Sequence, residues 1–355
     1  MRLAVIPGDG IGTELVEGAL EVLDAVARLE GFPLEVTRED GGAEHYRRTG
    51  EPLGADTLER LRDADAVLKG PVGLPEVRRP DGTEGGLLGG VLRPGLDTYA
   101  NVRPMRLLPG VPGPTRHAPG DIDYVLVREN TEGLYLSRGA GVATPDAASD
   151  QLMVTRNGVR RVVEFAFSLT RERARERAAD PGRHRPARVT CVDKSNVLRS
   201  FALFREVFDE VAAGYPDVQA DHLYADAAAH ELVARPQRFD VLVMENFLGD
   251  VLSDLGAATA GGLGMCGSGN IGARHAYFEP VHGSAPTIAG QDRANPVSQI
   301  LSAAMLLAHV GQTSAAARVR RAVEAAFAER AVRLDDAGSP VDGTRAATRA
   351  VTARL

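Results

Sequence analysis

Asp250 and Asp254 stand one helical turn apart in the run Phe239–Asp254, FDVLVMENFLGDVLSD, and carboxylates at i, i+4 project from one face of a helix. Two hard oxygen ligands placed in this way suit Mg²⁺ or Mn²⁺. The same spacing also describes two solvated acids on a helix surface. Four further groups have types suited to a reaction centre. Lys194 stands at the mouth of a strand in VDKSNVL, where a lysine can have its pKa pulled down and move protons; as an isolated residue it equally fits a surface position. Arg93, Arg103 and Arg128 each end an apolar or strand-like segment, and three guanidinium forks could converge on carboxylates or remain in separate ion pairs. Asp226 sits at another strand end, and Tyr135 follows in NTEGLY.

Placing these groups falls to an alternation of strands and helices. Asp240–Met244 reads as a buried parallel strand and Gly249–Leu255 as the helix after it, so the acids lie past the carboxyl end of a strand, where open α/β sheets put ligands. Strands are also expected at Leu3–Ile6, Leu34–Thr37, Ala66–Leu68, Tyr124–Val127, Arg188–Val192 and His222–Ala225. Helical spacing covers Thr13–Leu29, Leu53–Arg62, Val159–Ala179, Val197–Ala213, Ala227–Val233, Val297–Val310 and Ser314–Val332, with a break at Asp180–Arg185. This alternation argues for a largely parallel sheet. The Gly8-Asp9-Gly10-Ile11-Gly12 turn has G-x-G-x-G spacing, and a tight strand-to-helix turn explains it without a phosphate. Gly70–Gly95 reads as a long irregular segment, Gly256–Gly272 as small-residue packing or loop, and Phe278–Pro296 as a polar turn whose exposed N–H groups suit a phosphate and ribose cradle.

Composition narrows the classes. The 355 residues are 44% hydrophobic with a formal charge of −7, enough for a large core in two domains and no footprint for nucleic acid. Cys191 and Cys266 are the only cysteines, too few for a disulfide framework and consistent with a reducing compartment. The start, MRLAVIPGDG, lacks the basic flank and long apolar core of a signal peptide, and no run has membrane-spanning length. A cytoplasmic protein is expected. No His or Cys cluster supports zinc, and His222 and His230 read as structural.

Taken together, IPGDGIG, LR with YANVRP, VRENTEGLY, VDKSNVL, YADAAAHEL, MENFLGDVLSD, SGNIG, FEPVHGSAPTIAG and ANP span nearly the whole chain. In them it resembles the β-decarboxylating dehydrogenases, the isocitrate, homoisocitrate, 3-isopropylmalate and tartrate/D-malate dehydrogenases. The resemblance implies an α/β, isopropylmalate dehydrogenase-like fold: two α/β domains around a mostly parallel sheet, without the standard Rossmann fingerprint. It implies a cofactor-binding domain of residues 1–99 plus 256–355 and a substrate, metal and dimerisation domain of residues 100–255. Carried over position by position, Arg93, Arg103 and Arg128 hold the malate carboxylates, Tyr135 and Lys194 are catalytic, and Asp226, Asp250 and Asp254 bind Mg²⁺ or Mn²⁺. Lys194 and Asp226 match residues lent to the neighbouring subunit, which implies a homodimer with shared sites. The cofactor residues implied are Asn246, His282, Gly283, Ser284, Ala285, Thr287, Ile288 and Asn295.

Two positions depart from the family's patterns. NAD-preferring relatives carry an aspartate where this chain has Thr287, and NADP-preferring ones carry Lys-Tyr where it has Thr287-Ile288; with no lysine for a 2′-phosphate, NAD is expected and NADP is the alternative. The segment before Arg93, which discriminates the group on malate C3, is Leu87-Leu88-Gly89-Gly90-Val91-Leu92. It offers no partner for a distal carboxylate. The expected activity is metal-dependent oxidative decarboxylation of a (2R)-malate-type 2-hydroxy diacid, a 3-alkylmalate such as 3-isopropylmalate or malate/tartrate. Isocitrate, homoisocitrate, another 3-substituted malate, or a non-catalytic regulatory role are the alternatives.

Overall fold

The computed structural model describes residues 1–178 and 185–355. In chain order it begins with β1 (Arg2–Ile6), α1 (Gly12–Glu30), β2 (Glu35–Arg38), α2 (Ala43–Thr49), α3 (Thr57–Asp63), β3 (Ala66–Lys69), α4 (Gly89–Gly95), β4 (Ala100–Arg106) and β5 (Asp123–Glu129). A small two-stranded arm, β6 (Val142–Ala143) and β7 (Ala148–Ser149), is followed by α5 (Arg156–Ala178), β8 (Arg188–Asp193), α6 (Arg199–Ala212), β9 (Gln219–Tyr224) and α7 (Ala225–Ala234). The remainder is β10 (Val241–Met244), α8 (Asn246–Thr259), β11 (Gly267–Ile271), β12 (Ala276–Pro280), α9 (Val297–His309), α10 (Thr313–Ala328) and α11 (Thr344–Thr352). No helix among the described residues is long and apolar enough to cross a membrane.

The chain divides into two compact units. The first comprises Met1–Thr98, Leu107–Pro119 and Ala260–Leu355. Its strands run in the order β2-β1-β3-β12-β11, parallel except for the β11–β12 pair. The helix α1 places Leu15, Val16, Ala19, Val22, Leu23 and Val26 on one buried face, the three-and-four spacing of an amphipathic helix. It ends where Gly31, at φ 76°, donates its N–H to the Ala27 carbonyl, a left-handed stop that suits glycine.

The second unit comprises Tyr99–Arg106 and Gly120–Thr259. Its strands run β4-β5-β10-β8-β9, with β4 antiparallel to β5 and the other pairs parallel. Every residue of β10 is buried, the continuous apolar run of a strand covered on both faces. Register aligns the strand ends: Met244 of β10 lies beside Arg128 of β5 and beside Val192 of β8. The loops that follow these strands therefore leave the sheet at one edge. Behind it, Phe167 of α5 meets Phe208 of α6 at 5.5 Å and stacks on Tyr215 at 4.8 Å. Asp240, 2% exposed at the foot of β10, accepts from Arg173 at 2.8 Å and from both terminal nitrogens of Arg177 at 2.6 Å, which neutralises a carboxylate that burial would otherwise penalise.

Several elements differ from the sequence expectation. The helix expected from Leu53 starts at Thr57, after Pro52 and Gly54, and α2 is an additional short helix. Gly89–Gly95, expected as irregular, is helical. The small-residue stretch 256–272 splits: α8 continues to Thr259, and Gly267–Ile271 forms β11. Glycine, serine and asparagine carry little strand propensity, but the small residues let α9 lie close, with Ser302 Oγ accepting from the Ser268 N–H and donating to the Glu279 carbonyl. The polar turn at Phe278 begins as the end of β12, and residues 344–352, for which no element was expected, form α11, which buries Ala347 and Val351. The break expected at Asp180–Arg185 lies, apart from Arg185, outside the described residues. Cys191 and Cys266 are both buried and unpaired with each other.

Leu242 at the centre of β10 is fully buried. Leu242→Ala should lower the unfolding free energy by about 2–5 kcal/mol, read as a shift of the urea midpoint at unchanged slope. A midpoint unchanged from the parent would contradict the place given to β10.

Candidate active site

The edge formed by the carboxyl ends of β5 and β10 gathers four of the expected residues. Asn246 opens α8 immediately after β10, and Asp250 and Asp254 follow it on successive turns. Arg128 ends β5 with 1% of its surface exposed. Its Nε and Nη2 donate to Asn246 Oδ1 at 2.9 and 2.7 Å, and its Nη1 donates to Asp250 Oδ1. The guanidinium reaches this place because residue 249 is glycine: a Cβ there would lie 2.5 Å from Arg128 Cγ. Arg103 comes from β4, two residues after Asn101 and on the same face of the strand. Its Nε donates to Asn101 Oδ1 at 2.7 Å and its Nη1 to Ser253 Oγ at 2.6 Å. Arg103 also faces Asp254 Oδ1 at 3.4 Å and Asp250 Oδ1 at 3.7 Å.

Tyr135 completes the group from a short 3₁₀ turn, Leu134–Ser137. Its hydroxyl donates to Asp250 Oδ2 at 2.7 Å, and its ring lies edge-on to Phe247 at 6.0 Å and under the guanidinium of Arg128 at 5.5 Å. Burial, reinforced by the negative charge and hydrogen bond of Asp250, raises its pKa. Asp254 is also raised, first by burial and then by the repulsion of Asp250, against the pull of Arg103 and Arg128. A carboxylate pushed upward by a like neighbour is the electrostatic condition that a cation relieves.

Sequence reasoning did not single out Glu245, Asn101 or Ser253. Glu245, 2% exposed, ties two parts of the group together: one carboxylate oxygen accepts the Leu134 N–H beside Tyr135 and the other the Leu248 N–H in the first turn of α8, both at 3.1 Å. An acid three residues ahead of a helical N–H was the available sign. Asn246, implied for the cofactor, holds Arg128 and donates its Nδ2 to the Glu132 carbonyl at 2.8 Å.

Lys194 and Asp226 form their own pair, Nζ to Oδ1 at 2.9 Å, and this bond lowers the Asp226 pKa. Among the described residues no three His, Cys, Asp or Glu side chains gather into a metal-sized group. One copy of the chain thus offers a pair of hard carboxylates, Asp250 and Asp254, whose donor chemistry fits Mg²⁺ or Mn²⁺. His222 accepts the structural role expected of it, bonded to Asp209 at 2.7 Å beside the Phe208 ring; His230 lies 3.5 Å from Glu231.

In the first unit, Arg93 lies in the last turn of α4, near enough to the partly buried Glu279 that, against the upward push of burial, its charge joins the Lys69 partner in holding that carboxyl below its ordinary range. Gly89 stands one turn before it, where a Cβ would approach Arg93 Nε at 3.5 Å, while Leu88 and Leu92 point into the core. The loop after β12 exposes Gly283 and Thr287 and leaves His282, Ala285 and Ile288 partly buried. His282 Nδ1 lies 2.9 Å from the Gly283 carbonyl, and burial lowers its pKa. Ser284 is buried, and Asn295 accepts the Val297 N–H at 3.1 Å at the start of α9 and donates to the Gly338 carbonyl at 3.3 Å.

Residues 2–354 match the family model described as isocitrate/isopropylmalate dehydrogenase. The chain is 46% identical over 340 residues to a 3-isopropylmalate dehydrogenase of Thermobifida fusca, covering 93% of this chain and 92% of that one. To a 3-isopropylmalate dehydrogenase of Corynebacterium glutamicum it is 43% identical, covering 99% of both. Its fold superposes on the crystal structure of an isocitrate dehydrogenase from Methylococcus capsulatus with a TM-score of 0.87 at 37% identity, covering 99% of this chain and 98% of that one.

The Tyr135 environment sets a testable titration. The ordinary tyrosine value is 10.0, and the fold holds this proton more tightly. Tyr135 therefore leaves stability unaffected below pH about 10 and subtracts from it as pH rises from there through the folded pKa. In the metal-free protein, the ultraviolet difference titration between the parent and Tyr135→Phe should show one tyrosinate forming above the ordinary value. A midpoint at or below it would contradict the contact with Asp250.

Proposed function

The chain belongs to the isocitrate/isopropylmalate dehydrogenase family, and from that premise we propose that it oxidises and decarboxylates a 3-alkylmalate, 3-isopropylmalate first among them, with NAD and Mg²⁺ or Mn²⁺. It is a decarboxylating dehydrogenase. The observation that carries the reading is the cluster in which Asp250 is met by Arg128 and Tyr135 while Arg103 bridges toward Asp254. Such a cluster joins a cation-binding pair, carboxylate-binding forks and a proton donor on one helix face.

When bound, a divalent cation supplies Lewis acidity toward the substrate hydroxyl and toward the charge that develops as CO₂ leaves, and NAD supplies the hydride acceptor. The chain's own residues do the rest. Asp250 and Asp254 hold the cation, with Asp226 of a second copy as the third carboxylate. Arg93, Arg103 and Arg128 bind the two malate carboxylates, for which planar forks are suited. Lys194, also from a second copy, removes the hydroxyl proton, and Tyr135, kept protonated by its surroundings, returns a proton to carbon once CO₂ has gone.

The dimer that this scheme requires is supported by an apolar surface on the same helix. Phe247 and Val251, one turn apart on α8, are exposed, as are Val197, Leu198 and Val233 elsewhere in the same unit. Exposed apolar groups of this size are what a subunit interface covers. For the substrate, the run before Arg93 presents two glycines between leucines and a valine, with no charged or hydroxyl side chain for a distal carboxylate. That favours an apolar C3 branch over isocitrate or homoisocitrate. For the cofactor, Thr287 and Ile288 give a 2′-phosphate no cationic partner, which favours NAD over NADP.

NADH formation with Mn²⁺ across 3-isopropylmalate, isocitrate, homoisocitrate, D-malate and tartrate tests the reading. The highest kcat/KM is expected with 3-isopropylmalate and NAD. Isocitrate or homoisocitrate as best substrate would overturn the substrate assignment, a higher kcat/KM with NADP the cofactor assignment, and a folded protein silent across the panel the activity itself.

Sharing of sites has a separate test. Lys194→Met and Arg93→Met should each be inactive alone. Equal mixing with subunit exchange leaves half the dimers mixed, each with one complete site of two, so about a quarter of the parent activity should return. No recovery after demonstrated exchange would show that Lys194 serves its own chain.

A further inference from the structure

The Gly8–Gly12 turn is a sequence motif to which the proposed reaction gives no task. In the structure it is bonded to two other loops of the first unit. The Asp9 carboxylate, 5% exposed, accepts three backbone N–H groups: Ala43 at 2.8 Å, Glu44 at 3.0 Å and Gly73 at 2.8 Å. The Asp9 N–H donates to the Pro71 carbonyl at 2.8 Å, and the Ile11 N–H donates to the Ser284 carbonyl at 2.8 Å. Ser284 closes the triangle by donating its Oγ to the Gly73 carbonyl. Gly10 is required by this closeness, since a Cβ on it would lie 2.1 Å from the Ser284 carbonyl oxygen. Ile11 adds an apolar contact to Ala285, Ile288 and Ala289.

Three backbones are thus fastened at one point: the turn, the loop carrying His282–Ile288, and Gly73, whose own Cβ position lies 3.5 Å from Leu87 Cδ2 just ahead of α4 and Arg93. We infer that this clasp couples dinucleotide binding to the placement of Arg93, with Asp9 and the Ser284 hydroxyl as positioning residues rather than ligands. The identity of the two loops rests on the proposed function. The physical basis is ordering: a ligand that fixes one fastened loop lowers the cost of fixing the other, and the coupling is reciprocal.

NADH fluorescence titrations, with Mn²⁺ and with or without saturating 3-isopropylmalate, measure this on the full chain. In the parent, the acid should tighten NADH by about fivefold or more, and in Ser284→Ala, which loses only the bond to Gly73, the ratio should fall below about twofold. Asp9→Asn, which replaces one accepting oxygen by an amide nitrogen, should lower the ratio likewise and serves if the first variant folds poorly. A purely structural role would lower the melting temperature and leave the ratio alone. An unchanged ratio in both folded variants, or a ratio of one in the parent, overturns the inference. Parent turnover is measured first: none with any malate rejects the proposed function, whereas turnover with an unchanged ratio in the variants rejects the clasp alone.

Discussion

Arg128 is a full positive charge at 1% exposure, and a buried guanidinium is tolerable only where fixed acceptors surround it. Asn246 Oδ1 and Asp250 Oδ1 are those acceptors, and both belong to the first two turns of α8. The helix must therefore begin directly off β10, beside the end of β5, and must approach the arginine without a side chain at position 249. The position of Asp254 one turn further, the reach of Arg103 to Ser253, and the Tyr135 hydroxyl on Asp250 Oδ2 all follow from that placement.

The cluster also depends on residues that hold its members in place. Glu245 fastens the turn that carries Tyr135 to the helix that carries the acids, and Asn101 orients Arg103. Each such residue satisfies a buried donor, so its place is fixed by the same need for partners that fixes the core. The first unit uses a different device for the same end. There, backbone groups are brought together directly, with one carboxylate, that of Asp9, accepting from three N–H groups. Side-chain networks hold the charged groups of the second unit, and backbone contacts hold the loops of the first.

The charged groups of the second unit fall into two sets. Asp250 and Asp254 repel one another and are answered by Arg103 and Arg128, while Lys194 and Asp226 answer each other elsewhere. In the proposed function a second copy would lend Lys194 and Asp226 as base and third carboxylate, and Phe247 and Val251 are exposed apolar side chains on α8 that such a copy would cover.

How much of this was legible beforehand follows from range. Buried parallel strands such as Val241–Met244 and amphipathic helices such as Gly12–Glu30 are written in local runs of residue type, and so were the i, i+4 acids and the place of Arg128 near the end of β5; Arg103 instead lies inside β4 and Arg93 in the last turn of α4. The small-residue strand Gly267–Ile271 and the helix Thr344–Thr352 were not, because their stability comes from close packing against α9 and α1 rather than from propensity. The sequence by itself determined the class of fold, the residue types at the site and the family whose motifs they make. Only the tertiary structure decided that Asp250 is shared by Arg128 and Tyr135, that Glu245 fastens their supports, and that the G-x-G-x-G turn is bonded to two other loops. Those outcomes depend on hydrogen bonds between residues up to 211 positions apart, and spacing along a chain carries no information about which distant donors and acceptors the packed core will bring within 3 Å of one another.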